Sequence, residues 1–354
     1  MKKTVLISAP QYYGIDSDIR EAFEVLGFNT LLINQFSLTI LERIAIKIEP
    51  KNQFLKRLFN PLRKSYLIKE NRIFQRILSK EVPDLLIIIK GDNFFPNTLE
   101  RIKKELACPV VGYAWDKPFY DDNEIQDDFR KSNLKNGIKW YDKFFVFDSF
   151  YIDEIKRQGL KEVNYLPLAT NPRRFKEISL PKKDRKHYAY DICFVGAPYP
   201  NREEIFESLC EYNLGVFGDY WTKYFIQKGR KTPSYFKGKA TGEIVNKIYL
   251  CSKIVLNIND SQSMKGLNTR TFDIPACGAF EIIDYKESVE KHFEIDREMV
   301  TFSNVSELKN KIDFYLNNDA LRKEISMRGK LRVLNEHTWV HRANEIITAL
   351  GMSP

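Results

Sequence analysis

Five consecutive aliphatic residues, Leu85-Leu86-Ile87-Ile88-Ile89, leave this chain no polar side to turn toward water. A strand of that kind is buried on both faces, which is the habit of a parallel sheet covered by helices. Shorter apolar runs at 4–8, 30–33, 110–114 and 144–147 alternate with helical patterns over 17–26, stopped by Gly27, and over 97–106. The alternation restarts further on. Strands are expected at 192–195, 214–217, 254–258 and 280–283, with helices over 202–210, 243–250, 271–277, 305–316, 320–334 and 340–350. Two doubly wound, Rossmann-like α/β domains facing a central cleft are the economical fold, and such a cleft is where ligands bind by default. The expected boundaries are 1–168 for the first domain, 169–189 for a charged, Pro-containing linker, 190–335 for the second, and 336–354 for a terminal helix packing back on the first.

The 354 residues suffice for two such domains, with 43% apolar and 29% charged residues, which excludes a disordered or fibrous chain. No apolar run approaches the ~20 residues of a membrane span. The opening Met1-Lys2-Lys3 leads into too short an apolar core for a signal peptide. Cys108, Cys193, Cys210, Cys251 and Cys277 are scattered without a C-x-x-C pair, so the expectation is a reducing cytoplasm, with no disulfide framework and no zinc knuckle.

Charge is uneven. Of a formal net of +9, residues 41–80 carry eleven Lys/Arg against three acids, hence +8. Phe54, Leu55, Leu58, Phe59, Leu62, Tyr66, Leu67, Phe74 and Leu78 interleave with them at roughly helical spacing. Three readings are open. The segment is a helix with solvated charges and a stripe packed on the core, a contact for an anionic membrane face, or a nucleic-acid surface. No RNP-like strand, helix-turn-helix or zinc pattern favours the last, and no nucleic-acid partner is expected.

Two segments of the second half carry chemistry. In Val195-Gly196-Ala197-Pro198-Tyr199-Pro200-Asn201-Arg202 a strand ends on a glycine and a helix starts near an arginine that can fork onto a phosphate. In Lys265-Gly266-Leu267-Asn268-Thr269-Arg270-Thr271-Phe272-Asp273 a tight loop leads to an N-cap at Asn268 or Thr269, with Lys265 and Arg270 at the same helix start. Asp273, three residues after Arg270, shares its helical face. The set suits a nucleoside diphosphate, with cations and amides for the pyrophosphate and a carboxylate for ribose; the alternative is an Arg270–Asp273 pair that merely stabilises the helix. Lys237 joins Gly196, Arg202, Lys265, Gly266, Asn268, Thr269, Arg270 and Asp273 as a donor-side candidate.

These motifs, with Lys253-Ile254-Val255-Leu256-Asn257-Ile258, Ala276-Cys277-Gly278, Glu307-Leu308, Gly329 and His337-Thr338-Trp339-Val340-His341-Arg342, resemble the CgeB-like (spore maturation protein) glycosyltransferases. Tyr141-Asp142 and Tyr165-Leu166-Pro167-Leu168-Ala169 fit the same pattern more loosely. The resemblance covers the second half well and the first half thinly. It implies the GT-B fold, with a nucleotide-sugar donor in the C-terminal domain, an acceptor in the N-terminal one, and no essential metal. It also implies a ribose-binding role for Asp273, where related families carry a glutamate. Many retaining members have a further glutamate where this chain has Lys265, which leaves the stereochemical course open.

A leaving diphosphate needs cations and oriented amides, and an inverting transfer needs a base for the acceptor hydroxyl. Asp92 and Asp116, each expected at a strand end of the first domain, are the catalytic candidates; Tyr12, Tyr13 and Gly14 are candidates for the acceptor side. His337 and His341 read as part of a structural helix, and Asp16-Ser17-Asp18 as a helix start rather than a metal motif. No metal and no cofactor are expected, and neither G-x-S-x-G nor a P-loop is present. The sequence thus predicts a cytoplasmic glycosyltransferase using a nucleotide-diphosphate sugar, UDP-linked by preference. Its acceptor is a glycan, lipid-linked or protein substrate, with 41–80 as a possible contact to the inner membrane face. The alternatives are a nucleotide-sugar epimerase of the same fold and a binding protein without turnover.

Overall fold

Every strand pairing is parallel, as the unbroken apolar runs require. The computed structural model describes residues 2–35, 53–120 and 128–353. The chain divides into two compact units, Met1–Pro167 with Ala343–Pro354, and Leu168–Arg342.

The first unit holds β1 (Thr4–Pro10), α1 (Ile15–Val25), β2 (Asn29–Gln35), α2 (Gln53–Leu78), β3 (Leu85–Ile89), α3 (Pro96–Glu105), β4 (Val110–Ala114), β5 (Lys143–Val146), α4 (Ile152–Arg157) and β6 (Val163–Tyr165). The sheet order is β2-β1-β3-β4-β5-β6. The second unit holds α5 (Lys182–His187), β7 (Ile192–Val195), α6 (Pro200–Ser208), β8 (Leu214–Phe217), α7 (Trp221–Gln227), β9 (Phe236–Gly238), α8 (Glu243–Cys251), β10 (Ile254–Asn257), α9 (Arg270–Ala276), β11 (Glu281–Asp284), α10 (Val289–His292), β12 (Val300–Phe302), α11 (Val305–Leu316) and α12 (Asp319–Glu336). Its order is β12-β11-β10-β7-β8-β9, and α13 (Trp339–Ala349) follows. The strands β6, β9 and β12 and the short helices α4, α5, α7 and α10 have no counterpart in the sequence reading. Each of the three strands lies at or beside a sheet edge and is three residues long, too short for a periodic signal.

Both faces of the second sheet are dry. Ile192, Phe194, Val216, Leu256 and Ile282 belong to one core cluster, whereas Cys193, Val195, Phe217 and Val255 belong to another. The alternation of successive residues between clusters is the period of two of a strand buried on both sides.

The basic stretch divides. Residues 41–52 and the side chains of 53–60, Leu62 and Arg63 lie outside the described residues, as do Asp121, Asp122 and Asp127. In the described part of α2, Leu67, Asn71, Phe74 and Leu78 are buried at helical spacing while Lys64, Lys69, Arg72 and Arg76, and Lys80 just beyond the helix, are exposed. This part follows the core-packed reading, and its cations face solvent. The segment expected as a linker is tied to the second unit: Asn246 Nδ2 donates to Arg174 O at 2.8 Å, and Lys330 pairs with Glu177 at 2.9 Å. Among the described residues no helix is long and apolar enough to cross a membrane.

In both sheets the order reverses once, between β1 and β3 and between β7 and β10. Ligands of open α/β sheets bind beyond the carboxyl ends of the strands at such reversals.

Candidate functional site

At the reversal in the second sheet the backbone is drawn tight by two glycines. Gly218 has φ +146°, and a Cβ there would lie 2.1 Å from Gly196 O. Gly196 N donates to Phe217 O at 2.9 Å, and Gly196 O accepts from Trp221 Nε1 at 2.8 Å. At Gly196 a Cβ would meet Phe194 Cζ at 2.8 Å and Arg270 Nη1 at 3.3 Å. The bare glycine lets the Arg270 guanidinium lie against the turn.

Two guanidinium groups converge here. Arg202, in the first turn of α6, donates from Nη1 to Ala197 O at 2.8 Å and from Nη2 to Ile258 O at 2.6 Å. Arg270, the first residue of α9, donates from Nε to Asn257 Oδ1 at 3.0 Å and from Nη2 to the same Ile258 O at 3.2 Å. Both lie over the Phe194 ring, at 5.2 and 5.5 Å. Neither forms an ion pair with a carboxylate among the described residues, which sets aside the Arg270–Asp273 pair. Burial first, and then the neighbouring Arg270 charge, pulls Arg202 down to about 9. The sequence reading put Arg202 on a phosphate. It is instead 2% exposed and clamps the Gly196 turn to the end of β10. Arg270, only partly buried, is the cation of the pair that reaches the surface.

The loop before α9 departs from expectation. Thr269 has helical backbone angles and gives no side-chain cap, and α9 is seven residues long with Pro275 inside it. Asn268 is not a cap either; its Nδ2 donates to Asn257 Oδ1 at 2.9 Å and Asn259 Oδ1 at 2.6 Å. Short polar side chains here stitch the loop to β10 rather than to the helix. Asp273 is 7% exposed, and its Oδ1 accepts from the Thr170 hydroxyl at 2.7 Å. Gly266 is buried, and Lys265 pairs with Glu287 at 2.8 Å, with both side chains about half exposed. Lys237, exposed on edge strand β9, donates to Ser234 O at 2.8 Å and is not gathered with the arginines.

Sequence reasoning passed over Asn257 and Glu281. Asn257 is fully buried, and Glu281 is 3% exposed. The signal was available: each is a polar residue inside an otherwise apolar strand, and a buried polar group demands partners.

The first unit carries a second cluster at its own reversal. After β3, Lys90 (φ 67°) and Gly91 (φ 85°) take left-handed conformations in succession, a sharp turn that brings Lys90 and Asp92 to the sheet edge. Lys90 Nζ pairs with Asp116 Oδ2 at 2.5 Å; burial opposes the ammonium, but Asp116 holds it above its usual value. Burial pushes the Asp92 carboxyl up to about 7, Lys90 opposing and Asp116 adding to the rise. Beneath the turn, Tyr141 Oη is buried without a partner among the described residues, 2.7 Å from where a Gly91 Cβ would stand. After β1, Tyr13 (φ 47°) and Gly14 (φ 83°) turn the loop so that Tyr12 and Tyr13 are more than half exposed. Tyr12 lies 6.2 Å from the Trp115 ring and contributes to the Lys90 electrostatics. Asp92, Asp116 and Tyr12 are therefore neighbours.

Asp16 and Asp18 lie in the first turn of α1 and are buried, at 2% and 4% exposure, with no side-chain cap at Gly14. His337 accepts from Arg342 Nη2 at 2.7 Å and packs on His292, while His341 Nδ1 meets the Thr338 hydroxyl at 2.7 Å. Among the described residues no three His, Cys, Asp or Glu side chains are grouped as metal ligands would be.

Known proteins resemble this chain in sequence and in fold. A family model described as glycosyl transferase-like matches residues 202–348. The spore protein CgeB of Bacillus subtilis (strain 168) is 24% identical over 282 residues, 73% of this chain and 81% of that protein. Sucrose-phosphate synthase from Thermosynechococcus elongatus superposes with a TM-score of 0.68 at 12% identity, covering 99% of this chain and 98% of that one. Anabaena HepE, solved in complex with UDP and glucose, does so with a TM-score of 0.61 at 11% identity, covering 99% of each chain. Residues 202–348 thus match a glycosyl transferase-like family, the chain resembles the spore protein CgeB over most of both lengths, and its twin parallel sheets share the fold of these solved structures.

Proposed function

We propose that the protein transfers a sugar from a UDP-sugar to a glycan, lipid-linked or protein acceptor, binding the donor diphosphate in the second unit at Arg270 and the Gly196 turn. One observation carries the reading: two guanidinium groups share the Ile258 carbonyl, and neither is ion-paired with a carboxylate among the described residues. Desolvated positive charge left uncompensated favours an anion. The HepE complexes with UDP and with UDP-glucose support the choice of nucleotide.

In this mechanism the sugar–phosphate bond breaks with its electron pair on the diphosphate. Arg270 is already oriented by Asn257 and Ile258, so it stabilises that charge without reorganising. Arg202 holds the turn in place. In the first unit Asp92 takes the proton of the acceptor hydroxyl, since its carboxyl titrates near neutrality and Asp116 is engaged by Lys90. Tyr12 and Tyr13 offer exposed aromatic surface beside it, with Gly14 setting the loop. Asp273, in the first turn of the same helix as Arg270, is the carboxylate for ribose. The exposed cations of α2 supply the contact with an anionic lipid face.

Arg270→Ala is expected to weaken UDP binding about tenfold to a hundredfold, the loss of one charge-assisted contact, measured by calorimetry. Unchanged affinity for UDP-, GDP-, CMP- and dTDP-linked sugars alike would remove this donor site.

A further inference from the structure

The hydrogen bonds behind Arg270 continue one residue deeper than the diphosphate site itself. Glu281 opens β11 and stands in register with Val255 of β10. Its Oε1 accepts from Asn257 Nδ2 at 2.7 Å, and its Oε2, buried, has no partner among the described residues. The Asn257 amide has two ways to lie, and its partners decide between them. Nδ2 faces Glu281 and, at 3.2 Å, Thr271 Oγ1; Oδ1 accepts from Asn268 Nδ2 and Arg270 Nε. Turned over, the amide would set an NH₂ group against Arg270 Nε, donor against donor. With the carboxyl proton on the partnerless Oε2, Oε1 stays an acceptor toward Asn257 and disfavours that arrangement.

The charge of Glu281 matters as much as its oxygen. Ionised, it would stand behind Arg270 as a buried counter-charge and compete with the diphosphate. Burial dominates and pushes the carboxyl up to about 8; the Asn257 hydrogen bond and Arg270 oppose this, and Asp273 and Asp284 add to it. Arg270 and Asp273 come from α9 and Asp284 from β11 itself, while β10 offers uncharged Asn257 and β12 (Val300–Phe302) no titratable group.

We propose that Glu281 is a positioning residue for donor binding: its Oε1 fixes the Asn257 amide, and so keeps the Arg270 guanidinium at Gly196, available to the diphosphate. The proposal rests on the donor site assigned above.

The test is UDP-glucose affinity by calorimetry between about pH 6.5 and about pH 9 for the wild type, Glu281→Gln, Glu281→Leu and Arg270→Ala. Wild-type affinity is expected to fall several-fold across this range, and Glu281→Gln, which keeps an acceptor but does not ionise, to fall less. Arg202 titrates in both proteins, so the difference between the two profiles isolates Glu281. Glu281→Leu, with no acceptor, is expected to bind about tenfold more weakly even at the lower pH. Parallel profiles for wild type and Glu281→Gln would overturn the proposal, and so would a folded Glu281→Leu with wild-type affinity. If the Leu variant does not fold, the Gln comparison decides alone. Weakened Arg270→Ala with parallel profiles sinks the Glu281 role only. Undiminished Arg270→Ala, or no wild-type binding, sinks the donor site and this proposal with it.

Discussion

Asp92 shows how position in a fold moves an ordinary carboxyl toward neutrality. Its neighbours Lys90 and Asp116 pull in opposite directions, so burial decides and leaves it titrating near neutrality. Asp92→Asn is expected to lower the transfer rate about a hundredfold or more while UDP affinity stays the same. The wild-type rate is expected to rise with pH and level off above about 7, where Asp92 has lost its proton. Full activity of the variant in a radiolabelled-sugar transfer assay would clear Asp92. A separate pH effect belongs to His292 and His337, packed ring against ring and near Arg342. Burial first, and then the Arg342 charge, lowers them to about 4 and about 3. Unfolded histidine titrates near 6.5, so below that value the unfolded chain takes up protons that the folded one refuses. Their contribution is complete above about pH 6.5 and is lost as pH falls toward these lowered values. Urea midpoints at neutral and acid pH are expected to show this loss, and His337→Gln to reduce it.

Among the elements, α2 has the plainest division of labour. Its buried stripe includes Phe74, 4% exposed and 4.8 Å from the Phe94 ring. Phe74→Ala is expected to cost about 3–5 kcal/mol, read from denaturant unfolding. Replacing exposed Lys64, Lys69 and Arg72 with Gln is expected to leave stability within about 0.5 kcal/mol and to reduce sedimentation with phosphatidylserine vesicles. Wild-type protein that does not sediment at low salt would end the lipid contact. The turn joining β7 to α6 depends on backbone approach instead. Gly218→Ala would drive a methyl group into Gly196 O and is expected to cost about 3 kcal/mol, with loss of UDP binding in the protein that remains folded.

At the scale of the whole molecule, donor binding is expected to register in one unit. UDP-glucose at a hundred times its dissociation constant adds about 2.7 kcal/mol to the stability of whatever holds it. Hydrogen exchange is expected to slow within Leu168–Arg342, around residues 196–202 and 257–273, and slowing confined to Met1–Pro167 would misplace the donor. Much of this was legible beforehand. Strands buried on both faces advertise themselves by composition, so the runs at 85–89, 110–114 and 192–195 coincide with β3, β4 and β7. Parallel strands joined by helices must present their carboxyl ends on one edge, so chain order by itself determined that Gly196, Arg270, Asp92 and Asp116 would fall near strand ends. Partnership was not legible, because it depends on distances between residues remote in the chain. Only the tertiary structure decided that Arg202 turns inward to two carbonyls, that Asp273 meets Thr170, that Lys237 stays on an edge strand, and that Arg270 donates to neutral oxygens, with no carboxylate ion pair among the described residues.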